Sequence, residues 1–155
     1  MTELPPEGGG KVESPRTGGD EAQSMAERLA LAEDSRVLQF VSPAFDVCTA
    51  EMFMTLASGA RLQFAPRQKL LPGEPLQTTL REHAITHVML PVNVAALCDP
   101  DALPALRCLV AGGDVCPPAL VRRWHRRVRF FNAYGPTETS VCATLQLCDT
   151  DLDES

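Results

Sequence analysis

The chain alternates between two patterns of apolar residues from about position 24 onward. Short continuous apolar runs predict buried β-strands, and segments with apolar residues at helical spacing predict amphipathic helices. Strands are expected at 36–41, 61–65, 86–90, 106–111, 128–133 and 140–147. Helices are expected at 25–32, 49–57, 74–83, 92–97 and 119–127, and two prolines suited to a first helical turn precede the last of them.

Strands that alternate with helices in this way indicate an α/β fold, with a mostly parallel sheet flanked by helices. Ligands of such sheets bind beyond the carboxyl ends of the strands. Three distinctive segments follow predicted strands, at 45–46, 112–114 and 134–138. Because the carboxyl ends of parallel strands share one edge, we expect these segments to converge on a single site.

Residues 1–23 differ in composition from the rest of the chain. They are rich in Gly, Pro, Glu and Ser and nearly free of large apolar side chains, so they are expected to be a disordered N-terminal segment. Gly8 to Lys11 match part of a phosphate loop, but Val12 stands where that loop requires Ser or Thr, so a linker is the favoured interpretation. Residues 24–155 are then expected to form an α/β domain.

The bulk composition narrows the classes of function. The 155 residues are 45% hydrophobic, enough for a packed core, and carry a formal net charge of −6, which argues against a general nucleic-acid or anionic-membrane binder. No apolar run reaches the length of a transmembrane helix and no secretory signal is evident, so the expected compartment is the cytoplasm. The six cysteines show no Cys-x-x-Cys spacing and are expected to be reduced thiols that bind no metal.

The run NAYGPTET at 132–139 concentrates the chemistry of a nucleotide–metal site in a few residues. Tyr134 offers a flat ring on which a base can stack, and Gly135 lets the backbone approach a ligand closely. Thr137 offers a hydroxyl to a phosphate oxygen, and Glu138 offers a hard oxygen ligand to Mg²⁺. The alternative is a surface turn with a helix-capping threonine.

This run closely resembles the adenylate-forming motif of nonribosomal peptide synthetase adenylation domains. The segments SPAFDVCTAEMFMTLASGARL, ITHVMLPVNVAALCDP and LRCLVAGGDVCPPALVRRW resemble neighbouring parts of the same family, so the resemblance spans about 24–148. It implies the middle of the large subdomain, hence an incomplete AMP-binding domain over 24–155. It also implies activation of an amino acid with ATP and Mg²⁺, followed by transfer of the acyl group to a phosphopantetheine carrier protein.

The resemblance assigns the substrate side of the site. It implies that Asp46 holds the α-ammonium group of an amino acid, because a cation that leaves water needs a paired anion. The alternative role for Asp46 is the N-cap of a helix starting near Thr49. The implied pocket residues are Val47, Ala50, Met89, Leu109, Ala111, Ala133, Val141 and Cys142. None is charged, which favours an apolar amino acid; the alternative is that they are ordinary core residues.

The resemblance also assigns the nucleotide side. The implied nucleotide-binding residues are Gly112, Gly113, Asn132, Ala133, Tyr134, Gly135 and Thr137. Tyr134 would stack on adenine, Thr137 would meet the α-phosphate as a catalytic residue, and Glu138 would be both catalytic and the Mg²⁺ ligand. The alternative for the glycine pair is a plain strand-to-helix turn.

Several expected parts of the family do not occur in this sequence. There is no Gly- and Ser/Thr-rich phosphate loop ending in Pro-Lys-Gly, and the ribose-binding Asp segment and the catalytic Lys would lie beyond Ser155. The expectation is therefore a ligase fragment that is inactive alone and works with a complementary synthetase fragment. The alternative is a non-catalytic α/β remnant or interaction module. The basic cluster at 122–129 is interpreted as a solvated helix face rather than a contact for RNA or a carrier protein.

Overall fold

The computed structural model describes residues 18–134 and 144–148. Within those residues the helices are α1 (Gly18–Leu29), α2 (Asp46–Ala57), α3 (Glu74–Glu82), α4 (Val92–Ala95) and α5 (Pro118–Trp124). The strands are β1 (Arg36–Leu38), β2 (Arg61–Gln63), β3 (His87–Pro91), β4 (Cys108–Gly112), β5 (Arg129–Tyr134) and β6 (Thr144–Leu147). Two short 3₁₀ turns lie at Arg67–Leu70 and Pro100–Ala102.

The strands form one sheet in the order β2-β1-β3-β4-β5-β6. β1 to β5 pair in parallel, and β6 pairs antiparallel with β5 at one edge. Helices link the successive parallel strands, as parallel pairing requires. The predicted α/β fold with a mostly parallel, helix-flanked sheet is confirmed.

The helices cover both faces of the sheet. On one face α1 and α2 pack against the strands, and Leu29, Met54 and Phe131 belong to the same buried cluster. On the other face α3 and α5 do so, and Leu80 and Trp124 belong to a second, larger cluster. We refer to these as the α1/α2 face and the α3/α5 face. β3 and β4 are buried on both, which explains why they are continuous apolar runs in the sequence.

The first helix begins earlier than the sequence pattern predicts. α1 starts at Gly18, inside the segment 1–23 for which we expected disorder. Ala22, Ala26 and Leu29 recur at helical spacing and are buried against the α1/α2 face. Residues 18–23 therefore belong to the folded domain, because alanines in a Gly- and Glu-rich stretch still supply a narrow apolar face.

The second helix also begins earlier than expected, at Asp46 instead of Thr49. Phe45 is its N-cap residue, with extended backbone angles and no side-chain capping hydrogen bond. Asp46 is thus the first helical residue, and the alternative role of Asp46 as the N-cap of a helix near Thr49 is wrong.

Two further findings concern only the described part of the chain. None of its helices combines the length and the apolar character needed to cross a membrane. Its cysteines (Cys48, Cys98, Cys108, Cys116 and Cys148) form no disulfide.

Candidate functional site

The carboxyl ends of the parallel strands bring the expected segments to one edge of the sheet. The register aligns Pro91 of β3 with Gly112 of β4, and Gly112 with Ala133 of β5. The loop 39–45, which follows β1 and leads into α2, leaves the sheet at the same edge. The start of α2, the glycine pair after β4 and the end of β5 therefore lie around a common position, as the strand pattern predicts.

An apolar floor lies at this edge, on the α1/α2 face. Met89 pairs with Val110, and one pleat further along Gly112 pairs with Ala133. Met89 and Val110 are buried, and Ala133 packs beside them in the same cluster. We call Met89, Val110, Gly112 and Ala133 the apolar floor. Val47, from the first turn of α2, packs against the same cluster.

Two of the predicted pocket residues do not reach this floor. Leu109 and Ala111 are fully buried and belong to the cluster on the α3/α5 face, whereas Met89 and Ala133 belong to the α1/α2 face. The cause is the two-residue period of a strand, in which a shift of one position turns every side chain to the opposite face. Val110 and Gly112 lie on the same face as Met89 and Ala133 instead. The assignment of Leu109 and Ala111 to the substrate pocket stays a prediction.

The two glycines at the end of β4, Gly112 in the strand and Gly113 directly after it, are required for different reasons. A Cβ atom on Gly112 would lie 3.0 Å from the carbonyl oxygen of Ala133 and 3.3 Å from its Cβ, so a side chain there would crowd β5. Gly113 has a φ of +81° and open space where its Cβ would be. Gly113 therefore gives the strand its turn and leaves room beside the backbone for a ligand.

The start of α2 places the predicted substrate residues along one side of the helix. Val47 is half-buried and Ala50, one turn later, is buried. Asp46 occupies the first helical position. The structure thus brings Val47, Met89 and Ala133 into one cluster and sets Ala50 beside Val47.

One buried acid near this site was missed by the sequence analysis. Glu51 on α2 is 0% exposed, and its Oε2 accepts a hydrogen bond from the Val41 backbone N–H at 3.2 Å. Its Oε1 has no hydrogen-bonding partner among the described residues. Burial raises the pKa of Glu51 to about 7, against the opposing effect of the N–H groups of Val41 and Phe40 and the amide of Gln39. A Glu within the apolar segment AEMFM was the available signal.

The remaining predicted residues lie at or beyond the end of β5. Asn132 is half-buried and pairs with Ala111 and with Gln146 of β6, while the Tyr134 backbone pairs with Thr144. The predicted residues that lie outside the described part of the chain are Gly135, Thr137, Glu138, Val141 and Cys142.

Charged groups of the described residues make mostly structural contacts. Arg127 pairs with Asp101 at 2.6 Å, Arg123 donates to the Ala96 carbonyl at 2.9 Å, and Arg129 lies over the Phe131 ring. These contacts tie the basic cluster to its own domain. Within residues 18–134 and 144–148, no group of three or more His, Cys, Asp or Glu side chains is arranged so that it could hold a metal ion.

The chain is similar to a known protein family and to known proteins. The AMP-binding enzyme family matches residues 19–155. Chondramide synthase from Chondromyces crocatus is 44% identical over 134 residues, which cover 86% of this chain. The same match covers 3% of the synthase, so the chain spans a small part of that relative.

Solved structures show the same fold. The adenylation domain AlmE of Vibrio cholerae, in complex with glycyl-adenosine-5'-phosphate, superposes with a TM-score of 0.73 at 25% identity. The match covers 81% of this chain and 25% of AlmE. An artificially fused adenylation–carrier di-domain from Klebsiella oxytoca, NpsA-ThdA, has a TM-score of 0.66 at 26% identity and covers 79% of this chain and 24% of its own.

Proposed function

Because the chain belongs to the AMP-binding enzyme family, we propose that it forms the amino-acid-binding part of an adenylation domain in nonribosomal peptide synthesis. The observation that carries the proposal is the apolar floor beside the start of α2, with Asp46 at the first helical position. An amino acid needs both an anion for its ammonium group and a surface for its side chain, and these two features lie at the same edge of the sheet.

The chemistry of the floor supports an apolar amino acid as the substrate. Met89 and Val110 are buried and offer no polar partner, and Gly112 contributes no side chain. A polar side chain placed there would lose its hydrogen bonds to water without replacement. The ammonium group would instead pair with Asp46, since a cation that leaves water needs a paired anion. Val141 and Cys142 are proposed to complete the pocket.

The same edge is proposed to hold ATP. A flat base would lie beside the Gly113 backbone, where nothing stands within 4 Å of an added Cβ, with Tyr134 stacked on the base and Asn132 next to it. Thr137 and Glu138 follow along the chain and would meet the α-phosphate and Mg²⁺. The bound metal would neutralise charge that develops on the phosphates.

The proposed reaction begins with attack of the amino-acid carboxylate on the α-phosphorus of ATP. The bond to the departing pyrophosphate breaks, and an aminoacyl-adenylate forms. The thiol of a carrier protein, a partner whose kind is present in the NpsA-ThdA fusion, would then attack the acyl carbon and lose its proton. A thioester would form as the acyl–phosphate bond breaks and AMP leaves. The residues of this chain contribute orientation: Asp46 fixes the ammonium end, and the apolar floor fixes the side chain.

The test uses the full chain and two stable mimics of the adenylate. We expect leucyl sulfamoyl-adenosine to bind more tightly than its des-amino counterpart in an NMR titration. Asp46→Asn should weaken binding of the amino compound by about a hundredfold or more and leave the des-amino compound little changed. Asp34→Asn is the matched control, because Asp34 pairs with Arg107 near the opposite edge of the sheet. Failure of the parent to bind either compound would contradict the proposal.

A second candidate is an interaction module that binds the rest of an adenylation domain. It is favoured by the outer side of α2, where Phe53 is 61% and Leu56 is 62% exposed. Because the chain spans 25% of AlmE, the remainder of such a domain is the proposed occupant of this surface. Binding to a complementary segment without binding to either adenylate mimic would favour this candidate.

A further inference from the structure

The loop 39–45 determines where the proposed amino-group anchor stands. It follows β1, whose last residue pairs with Val88, so the loop begins level with Met89 of the apolar floor. It ends at Phe45, the N-cap of α2, directly before Asp46. The loop is therefore the covalent link between β1, which is held in the sheet beside the floor, and the helical turn that begins with Asp46.

A buried polar cluster joins this loop to α2. Glu51 Oε2 accepts from the Val41 N–H at 3.2 Å, and the Gln39 side-chain amide lies 3.5 Å from the same oxygen. The Gln39 amide also lies 3.2 Å from Cys48 Sγ and donates to the Val41 carbonyl. We call Gln39, Val41, Cys48 and Glu51 the loop clamp. Two of its members are on the loop and two are on the helix.

Burying Glu51 costs more free energy than a purely structural position in the core would require. A buried carboxylate loses its hydration, and replacing such a group by a well-packed apolar side chain is often neutral or stabilising. The hydrogen bonds that its carboxylate makes among the described residues point to the loop, not to another part of the core. By contrast the side-chain hydroxyl of Thr55, equally buried one turn later, donates back to the Glu51 carbonyl of its own helix.

We propose that Glu51 is a positioning residue for substrate recognition, acting through the loop clamp to hold Asp46 in register with the apolar floor. The inference rests on the proposed function, because it takes Asp46 as the anchor for the ammonium group. The inference adds Glu51 to the proposed recognition site as a residue that does not itself touch the substrate. Glu51 would therefore influence discrimination between amino and des-amino ligands without affecting the nucleotide part of the site.

The first arm of the test measures amide hydrogen exchange in the full chain. In Glu51→Leu the Val41 amide should exchange about tenfold faster or more, since it loses its acceptor. Glu51→Gln retains an acceptor oxygen and should restore protection. The control Thr55→Val should leave Val41 unchanged, and the β4 amides should be unaffected in every variant. Equal exchange of the Val41 amide in Glu51→Leu and the parent overturns the proposal.

The second arm measures the ratio of the dissociation constants of the two adenylate mimics. Glu51→Leu should reduce the preference for the amino compound by about tenfold or more, because a displaced anchor forfeits much of its binding. Glu51→Gln should recover most of the preference, and Thr55→Val should keep it. If Glu51→Leu folds and keeps the parent's preference for the amino compound, the positioning role of Glu51 is overturned and the proposed function is not. A parent without any preference overturns the proposed function, and the positioning role with it.

Discussion

At the scale of single residues, Glu51 makes the stability of the fold depend on pH. Burial raises the pKa of Glu51 to about 7 from an ordinary value of 4.5. The native state therefore holds the proton more tightly than the unfolded chain does. The stabilisation is complete below the unfolded pKa and is lost as pH rises through the folded pKa. The shift corresponds to about 3 kcal/mol.

We expect this effect to appear as a difference between two unfolding curves. The free energy of unfolding of the parent, relative to Glu51→Leu, should fall by about 3 kcal/mol between roughly pH 4 and pH 8. Urea titrations at successive pH values measure it. Burial lowers the pKa of His87, which makes the opposite contribution, but His87 is present in both proteins and cancels. Parallel pH profiles would show that Glu51 is not desolvated in the native state.

The two glycines after β4 give a second prediction at this scale. Gly112→Ala should destabilise the domain by about 1–3 kcal/mol, because the new Cβ meets the Ala133 carbonyl at 3.0 Å. Gly113→Ala should cost about 1–2 kcal/mol for the different reason that φ is +81°. Urea unfolding measures both.

Asparagine separates the two causes, because it tolerates positive φ better than other residues that have a side chain. Gly113→Asn should therefore cost less than Gly113→Ala. Gly112→Asn should cost more than Gly112→Ala, since the larger side chain worsens the crowding at Ala133. If Asn and Ala ranked in the same order of destabilisation at both positions, the two different causes assigned to Gly112 and Gly113 would be contradicted.

At the scale of elements, the boundary of α1 is open to a direct test. A chain that starts at Gly18 should keep the melting temperature of the full chain. A chain that starts at Ser24 loses the first half of α1, including the buried Ala22, and should lose about 1 kcal/mol or more. Calorimetry of the two truncated chains gives the comparison. Equal melting temperatures would mean that residues 18–23 contribute nothing to the fold.

The sequence reveals elements well where apolar periodicity is strong. β3 and β4 are buried on both faces, so each is a continuous apolar run that stands out against its neighbours. The starts of α1 and α2 were missed because burial there depends on single alanines and on a helix that begins without a side-chain cap. Helix starts of this kind depend on tertiary packing, which local sequence signals do not encode.

For the candidate site too, some features could be predicted from the sequence and others could not. Its place at the carboxyl edge could be predicted from chain order alone, because parallel strands align their ends. The facing of β4 could not be predicted from the resemblance, because only the folded sheet shows that Leu109 and Ala111 belong to the cluster on the α3/α5 face and Val110 to the cluster on the α1/α2 face. Glu51 was missed because a charged residue in an apolar helix reveals its partners only when the preceding loop is folded beside it.

At the scale of the whole molecule, the chain spans a small part of the relatives that it matches. The family matches residues 19–155, yet the chain covers 25% of AlmE. In the proposed division of labour this chain contributes the apolar floor, the amino-group anchor and the turn beside adenine. In the same proposal the phosphate loop, the ribose-binding Asp and the catalytic Lys implied by the resemblance would come from segments other than these 155 residues.

We therefore expect the isolated chain to bind the leucyl adenylate mimic but not to catalyse leucine-dependent exchange of pyrophosphate into ATP. Catalytic groups that act together lose most of the rate when any one is absent, so exchange should be lower by roughly a thousandfold or more than in a complete adenylation domain assayed in parallel. Radiolabelled pyrophosphate provides the measurement. Exchange that co-purifies with the chain and disappears in Asp46→Asn would contradict the prediction, and would mean that the described edge and the turn after β5 suffice for adenylation. Exchange that persists unchanged in Asp46→Asn would instead indicate a contaminating enzyme, which a second purification step would remove.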